Sequence, residues 1–122
     1  YATPSVQNQN MVQDFTAMAT PQKALARALN VKLASGGLAW LRAWREQPDL
    51  VLHASDAAHP GFVGSYLSSL VIFAAINDAS PQGLTNAPVT DCNFGPCVPI
   101  STELAAQLQR IAWEEYLSSR QP

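Results

Sequence analysis

Charged residues are scarce in this sequence, and the basic ones do not cluster. Seven Lys and Arg against nine Asp and Glu give a formal net charge of -2, and charged residues make up 13 % of the chain. Nucleic acids and anionic membrane surfaces are bound through concentrated positive charge. The composition therefore argues against a nucleic-acid partner.

Long hydrophobic runs are also missing. The longest uninterrupted apolar run covers residues 70–76, whereas a membrane-spanning helix needs roughly 20 apolar residues. We therefore expect no membrane span. No signal peptide is visible either, because no charged start precedes an apolar stretch and a small-residue cleavage site. The chain begins at Tyr1 rather than at Met, so we expect further residues upstream.

Cysteine is limited to two residues, Cys92 and Cys97, in the stretch D-C-N-F-G-P-C-V. A zinc site would need further Cys or His ligands nearby, and none follows. The intervening turn can bring the two sulfur atoms together, and a disulfide closing so short a loop contributes about 2 kcal/mol. We expect a disulfide here, which favours an exported protein, extracellular or periplasmic. Two free thiols in a cytosolic loop are the alternative.

The remaining composition is that of a globular protein. Hydrophobic residues make up 48 % of the 122 residues, enough for a single domain over residues 1–122 with its own core. Hydrophobic spacing and capping signals predict helices over residues 11–19, 22–29, 38–47, 60–76 and 102–118, with a loop over residues 1–10 and a surface loop over residues 82–100.

Strands are scarce as well. Only residues 31–34, followed by S-G-G, read convincingly as a strand. A lone strand cannot satisfy its backbone hydrogen bonds, so we predict an α/β fold whose other strands lie upstream of Tyr1. The helix over residues 60–76 is apolar on nearly every side, and we expect it to be buried against that sheet.

Two tryptophans, Trp40 and Trp44, lie four residues apart and therefore share one helix face. One interpretation is core packing, since aromatic side chains carry much of the buried area of a protein. The other is the wall of a substrate cleft, because ligands bind where the chain leaves the carboxyl end of a parallel strand. Both interpretations stay open at this point.

The stretch S-D-A-A-H-P-G-F-V-G-S-Y-L, residues 55–67, carries the clearest chemical signal. A carboxylate that accepts a hydrogen bond from an imidazole fixes its tautomer, so Asp56 and His59 suit the acid and base of a nucleophilic triad. The plain structural alternative makes His59 a helix cap, Pro60 the first turn and Asp56 an exposed loop acid. A third interpretation adds His53 as a metal ligand, although Pro60 prevents a regular helix through the third ligand.

The same stretch, with the apolar S-S-L-V-I-F-A-A-I that follows it, closely resembles the final sequence block of the SGNH (GDSL-type) hydrolases. The resemblance to a bacterial branch of that family extends in both directions from this block. It includes L-A-R-A-L-N-V and G-G-L-A-W upstream and I-S-T-E-L-A-A-Q-L-Q-R-I-A-W downstream. The resemblance implies a three-layer α/β/α (flavodoxin-like) sandwich. It also implies hydrolysis of a small-molecule or carbohydrate ester, without a metal or a cofactor. In that reaction Asp56 would be the triad acid and His59 the general base.

The chain departs from the family pattern in several places. It has no G-D-S and no G-x-S-x-G motif, it has Ala57 where glycine is common, and it has Gly61 where a small hydroxyl or amide residue is usual. We therefore expect a C-terminal part of such a hydrolase, whose nucleophilic serine and N-terminal half lie upstream of Tyr1. This chain alone is then expected to be inactive. The alternative is a non-catalytic binding or structural remnant of the fold.

Overall fold

A computed structural model of the chain describes residues 4–87 and 99–120. These residues form four helices, which are α1 Pro4–Leu29, α2 Gly36–Glu46, α3 Phe62–Asn77 and α4 Thr102–Arg120. The described ranges contain no strand, and their one extended pairing is an isolated antiparallel bridge between His53 and Pro60. None of the helices in these ranges combines the length and apolar character needed to cross a bilayer.

The predicted α/β sandwich is therefore wrong, because the described chain is all-helical. Residues 31–34, predicted as a strand, form a non-helical connection between α1 and α2 in which Val31 is exposed. A strand needs a partner as well as suitable side chains, and four residues of favourable composition cannot provide one. The apolar faces of the helices are buried against one another instead.

Helix α1 is a single element where the sequence predicted a loop over residues 1–10 and two helices separated at Pro21. It begins at Pro4 and continues through Pro21. Proline removes one helical hydrogen bond, but Phe15, Ala19 and Ala26 lie on one face that spans the proline, and both alanines are buried. The predicted end at Asn30 is confirmed, since that residue has a φ of 52°.

Helix α2 is the centre of the fold and contacts each of the other three helices. Five of its residues are buried, namely Ala39, Trp40, Leu41, Ala43 and Trp44. The predicted shared face of the tryptophans is confirmed: the two ring centroids lie 5.9 Å apart, nearly perpendicular. The indole N–H of Trp44 donates to the Leu50 carbonyl at 2.9 Å, and that of Trp40 donates to Ser68 Oγ at 3.1 Å.

Helices α3 and α4 pack against each other and against α2. The prediction that α3 is buried against a sheet is wrong, since its partners are helices and Ile72 and Ile76 are 49 % and 71 % exposed. The predicted start of α4 is confirmed, because Ser101 Oγ accepts the backbone N–H of Leu104 at 3.1 Å.

The predicted surface loop over residues 82–100 is described only over residues 82–87 and 99–100. Its first part is tied to α4 through the buried Gln109, whose amide accepts the N–H of Gly83 and donates to the Leu84 carbonyl, both at 2.9 Å. Cys92 and Cys97, with their expected disulfide, lie outside the described residues.

Gly64 sets how closely α3 approaches the chain that leaves α2. A Cβ atom at this position would lie 2.1 Å from the Leu52 carbonyl oxygen and 2.6 Å from the Trp40 ring. Neither neighbour can move easily, because Leu52 and Trp40 both belong to the main hydrophobic core. Glycine is therefore required here by close packing.

We expect Gly64→Ala to reduce the free energy of unfolding by about 2 kcal/mol or more, the cost of forcing a methyl group into a packed interior. Urea denaturation followed by circular dichroism measures this change. The matched control is Ser65→Ala on the exposed side of the same helix, which should stay within about 0.5 kcal/mol of the parent. Equal stability of the two variants would contradict the packing at Gly64.

Candidate functional site

The segment between α2 and α3 closes into a hairpin-like loop over residues 52–61, here called the dyad loop. The N–H of Gly61 donates to the Leu52 carbonyl, and the N–H of Ala54 donates to the His59 carbonyl, both at 2.8 Å. Backbone N–H and C=O groups that leave water need a hydrogen-bond partner, and these two bonds supply one by joining the two ends of the loop. The residues between them are thereby held in one conformation next to the start of α3.

Gly61 is one of the residues whose backbone closes the dyad loop. A Cβ atom there would lie 2.9 Å from the His53 carbonyl oxygen, so the backbone pairing leaves no room for the hydroxyl or amide residue usual in the family. Gly61 is also the N-cap of α3, and the helix starts at Phe62. The alternative that made His59 the cap and Pro60 the first turn is therefore wrong, because both precede the helix.

The structure brings Asp56 and His59 together. His59 Nδ1 lies 2.5 Å from Asp56 Oδ2. The other carboxylate oxygen, Oδ1, accepts the backbone N–H groups of Ala58 and His59, each at 3.0 Å. The side chains of His59 and Asp56 are 51 % and 45 % exposed, so the pair sits at the surface, where a substrate can reach it.

The pKa of the Asp56 carboxyl is held well below its usual range. The main cause is the hydrogen bond from the backbone N–H of His59, followed by those from the His59 side chain and the backbone N–H of Ala58. Hydrogen bonds to the charged form of a carboxyl favour ionisation. Asp56 is therefore a carboxylate at neutral pH and can accept a hydrogen bond from Nδ1–H of His59, in the tautomer that leaves Nε2 without a proton.

A cleft of about 420 Å³ opens beside the dyad loop. The dyad loop contributes His53, Ala57, Ala58 and Pro60 to its wall. The rest of the lining comes from the three helices α1, α2 and α3: Met11, Asp14, Phe15, Gly36, Gly37, Trp40 and Ser68. The sequence analysis singled out Trp40 as a possible cleft wall but missed the α1 residues, whose position depends on how α1 packs on α2.

His53 forms part of this wall and is 9 % exposed. Its ring stands edge-on to Trp40 at 4.7 Å and stacks on Trp44 at 6.0 Å between centroids. Nδ1 is buried and finds no hydrogen-bond partner among the described residues. Burial lowers the pKa of the imidazole and outweighs the nearby Asp56 charge, which acts in the opposite direction.

The metal-site interpretation of His53, Asp56 and His59 is not supported by their placement. His53 packs between tryptophans, while Asp56 pairs with His59 at the surface. Within residues 4–87 and 99–120, no group of three or more His, Cys, Asp or Glu side chains is arranged to hold a metal ion.

The first prediction for this site concerns the charge of Asp56. The pKa of the Asp56 carboxyl in the folded state is lower than its unfolded value of about 3.9. The ionised carboxyl therefore stabilises the folded state above that pH, and this stabilisation is lost as the pH falls through the lower folded pKa. We therefore expect the Asp56 Cγ resonance, followed by 13C NMR, to stay that of a carboxylate at pH 3.9. A titration midpoint at or above that pH would contradict the hydrogen bonding of Asp56.

A second prediction concerns Ala57, which has a φ of 58°. A left-handed conformation costs a residue with a Cβ atom roughly 1–2 kcal/mol relative to glycine. Ala58 is not among the described residues with positive φ. Ala58→Gly therefore adds the same conformational entropy to the unfolded chain without relieving strain in the folded one. We expect Ala57→Gly to be at least about 1 kcal/mol more stable than Ala58→Gly in urea denaturation. The reverse order would show that Ala57 is unstrained.

Comparison with known proteins gives no relative for this chain. It matches no protein-family model, no curated protein and no solved structure. The role assigned below to Asp56 and His59 rests on their geometry and on the resemblance of the D-A-A-H-P block.

Proposed function

We propose that Asp56 and His59 are the acid and base of a serine ester hydrolase that acts through an acyl-enzyme. The observation that carries the proposal is the 2.5 Å contact between His59 Nδ1 and Asp56 Oδ2, with the carboxylate fixed by two backbone N–H groups. A structural loop needs only the backbone bonds. The contact of the carboxylate with Nδ1 of the imidazole also favours the tautomer that a general base requires.

In the proposed reaction His59 Nε2 takes the proton of a serine hydroxyl as the serine oxygen attacks the ester carbonyl. Asp56 stabilises the imidazolium that results. The imidazolium then gives its proton to the leaving alcohol, and the acyl group remains on the serine. A water molecule, deprotonated by His59, attacks the acyl-enzyme, and the proton returns to the serine oxygen as the acid leaves. Each step is served by the same base, and the chemistry needs no cofactor.

The nucleophile in this proposal is a serine upstream of Tyr1, since residues 1–122 contain no G-D-S or G-x-S-x-G motif. The substrate is a small-molecule or carbohydrate ester. An exported location, extracellular or periplasmic, belongs to the same proposal and rests on the two closely spaced cysteines.

A non-catalytic binding or structural role is the second candidate. The observation that favours it is the all-helical architecture of the described residues, because the family that the dyad block resembles carries its nucleophile on a sheet. The two candidates differ in what they require of His59. Catalysis needs its basic nitrogen, whereas a structural loop needs only its backbone bonds to Asp56 and Ala54.

The test measures p-nitrophenyl acetate hydrolysis by the longer protein that includes the residues preceding Tyr1. We expect His59→Ala to lower kcat/KM by roughly 10²–10⁴-fold, the usual contribution of a general base, and Asp56→Asn to lower it as well. Asp49→Asn, at an exposed acid in the same connection between α2 and α3, is the matched control and should match the parent. A parent without hydrolytic activity would favour the non-catalytic candidate, and a fully active His59→Ala variant would refute the assignment of His59 as the base.

A further inference from the structure

We infer that the cleft beside the dyad loop binds an aryl group without a negative charge through its aromatic wall. That the aryl group is part of an ester rests on the proposed function, whereas the binding itself does not. The inference depends on four features of the cleft: its size, its aromatic rings, its charge and its position relative to Asp56 and His59.

The size and lining of the cleft suit a small organic molecule. Its volume of about 420 Å³ lies in the range of roughly 300–1,000 Å³ that small-molecule pockets occupy. Phe15 and Trp40 stand edge-to-face, with centroids 6.2 Å apart and ring planes at 86°. Both rings belong to the lining, so an aromatic ring that enters the cleft meets other aromatic rings, with which edge-to-face and offset-stacked contacts are favourable.

The charges of the lining disfavour an anion. Asp14 is the one charged residue of the lining described above, which includes no Lys or Arg, so an anionic ligand would meet repulsion without a partner. Burial lowers the pKa of the His53 imidazole, which disfavours a protonated ring that could pair with an anion.

Ser68 gives the cleft a polar group that suits a carbonyl compound. Its Oγ accepts the indole N–H of Trp40 at 3.1 Å, which leaves the serine's own proton to be donated. A ligand oxygen that accepts this proton completes the hydrogen bonding of a hydroxyl lining the cleft. An aryl ketone or aryl ester carries such an oxygen next to its ring.

The position of the cleft connects it to the dyad. Ala57 and Ala58, which line the cleft, are the two residues between Asp56 and His59 in the sequence. Pro60, also in the lining, follows His59 directly. A group held in the cleft therefore lies against the loop that carries the acid and the base.

Gly36 offers a way to fill the cleft without disturbing the core. A Cβ atom at this position would lie 3.5 Å from Ser68 Oγ and 3.8 Å from Ser68 Cβ, which are ordinary van der Waals distances. Gly36 is the first residue of α2, where leucine is a better helix former than glycine. Gly36→Leu should therefore fold while its side chain occupies part of the cleft. The matched control is Ala106→Leu, at an exposed position of α4 outside the lining.

The experiment titrates the 122-residue chain with 2-acetylnaphthalene, a neutral ketone that cannot be hydrolysed, and follows tryptophan fluorescence. Circular dichroism confirms that each variant is folded. We expect saturable quenching in the parent, at least tenfold weaker binding to Gly36→Leu, and binding within twofold of the parent for Ala106→Leu. The anion 2-naphthoate should bind the parent at least tenfold more weakly than the ketone.

Three results would overturn the inference: no saturable binding of the ketone, equal binding to a folded Gly36→Leu variant, or equally tight binding of 2-naphthoate. If Gly36→Leu does not fold, NMR of the parent decides, because the ketone must shift the amide resonances of Gly37 and Ala58 and leave that of Ala106 unchanged. The ketone undergoes no hydrolysis, so its binding and the esterase assay fail independently. Hydrolysis without ketone binding refutes the cleft assignment alone, and ketone binding without hydrolysis refutes the proposed enzyme alone.

Discussion

The fit of Leu52 against α3 is the constraint on which the rest of the structure depends. The Leu52 side chain is 1 % exposed and belongs to the main core. Its carbonyl accepts the N–H of Gly61 and occupies the space that a Cβ atom of Gly64 would need. One residue therefore joins the core, the dyad loop and α3, and the loop that carries Asp56 and His59 is anchored at this junction.

Helix α2 couples stability to the shape of the cleft. Trp40 is 6 % exposed, donates its indole N–H to Ser68, and contacts the rings of Phe15, Trp44 and His53. The same side chain thus packs the core, as one of the two interpretations predicted, and also lines the cleft. That the cleft takes a substrate stays a prediction. Any change at Trp40 alters the free energy of unfolding and the cleft together, whereas Gly36 lies at the cleft without supporting the core.

The sequence predicted the elements whose signals are local. Ser101 caps α4, Asn30 ends α1, and the spacing of Trp40 and Trp44 places them on one face. It failed where the outcome depends on distant partners. Residues 31–34 have strand-like composition, but residues 4–87 and 99–120 contain no strand that could pair with them. The continuity of α1 through Pro21 depends on a buried face that local rules cannot show.

For the candidate site, the three-residue spacing of Asp56 and His59 allowed a hydrogen-bonded pair but equally allowed a helix cap beside an exposed loop acid, and the structure places the two side chains in contact. The cleft was not predictable, since Phe15 and Trp40 become neighbours only when α1 packs on α2. The family resemblance identified the same two residues but implied a sheet that the described residues do not form. The structure accounts for the two departures in the block: Ala57 carries the positive φ that glycine would take without strain, and Gly61 fits a backbone contact that excludes a side chain.

The most direct test of the account is the tautomer of His59, read from the 15N chemical shifts of its ring in the neutral state. The account predicts a protonated Nδ1 and an unprotonated Nε2, with the Nδ1 proton shifted downfield by its hydrogen bond to Asp56 and that shift lost in Asp56→Ala. A neutral ring protonated at Nε2, with Nδ1 unaffected by removal of the Asp56 carboxylate, would contradict the assignment of the pair as acid and base.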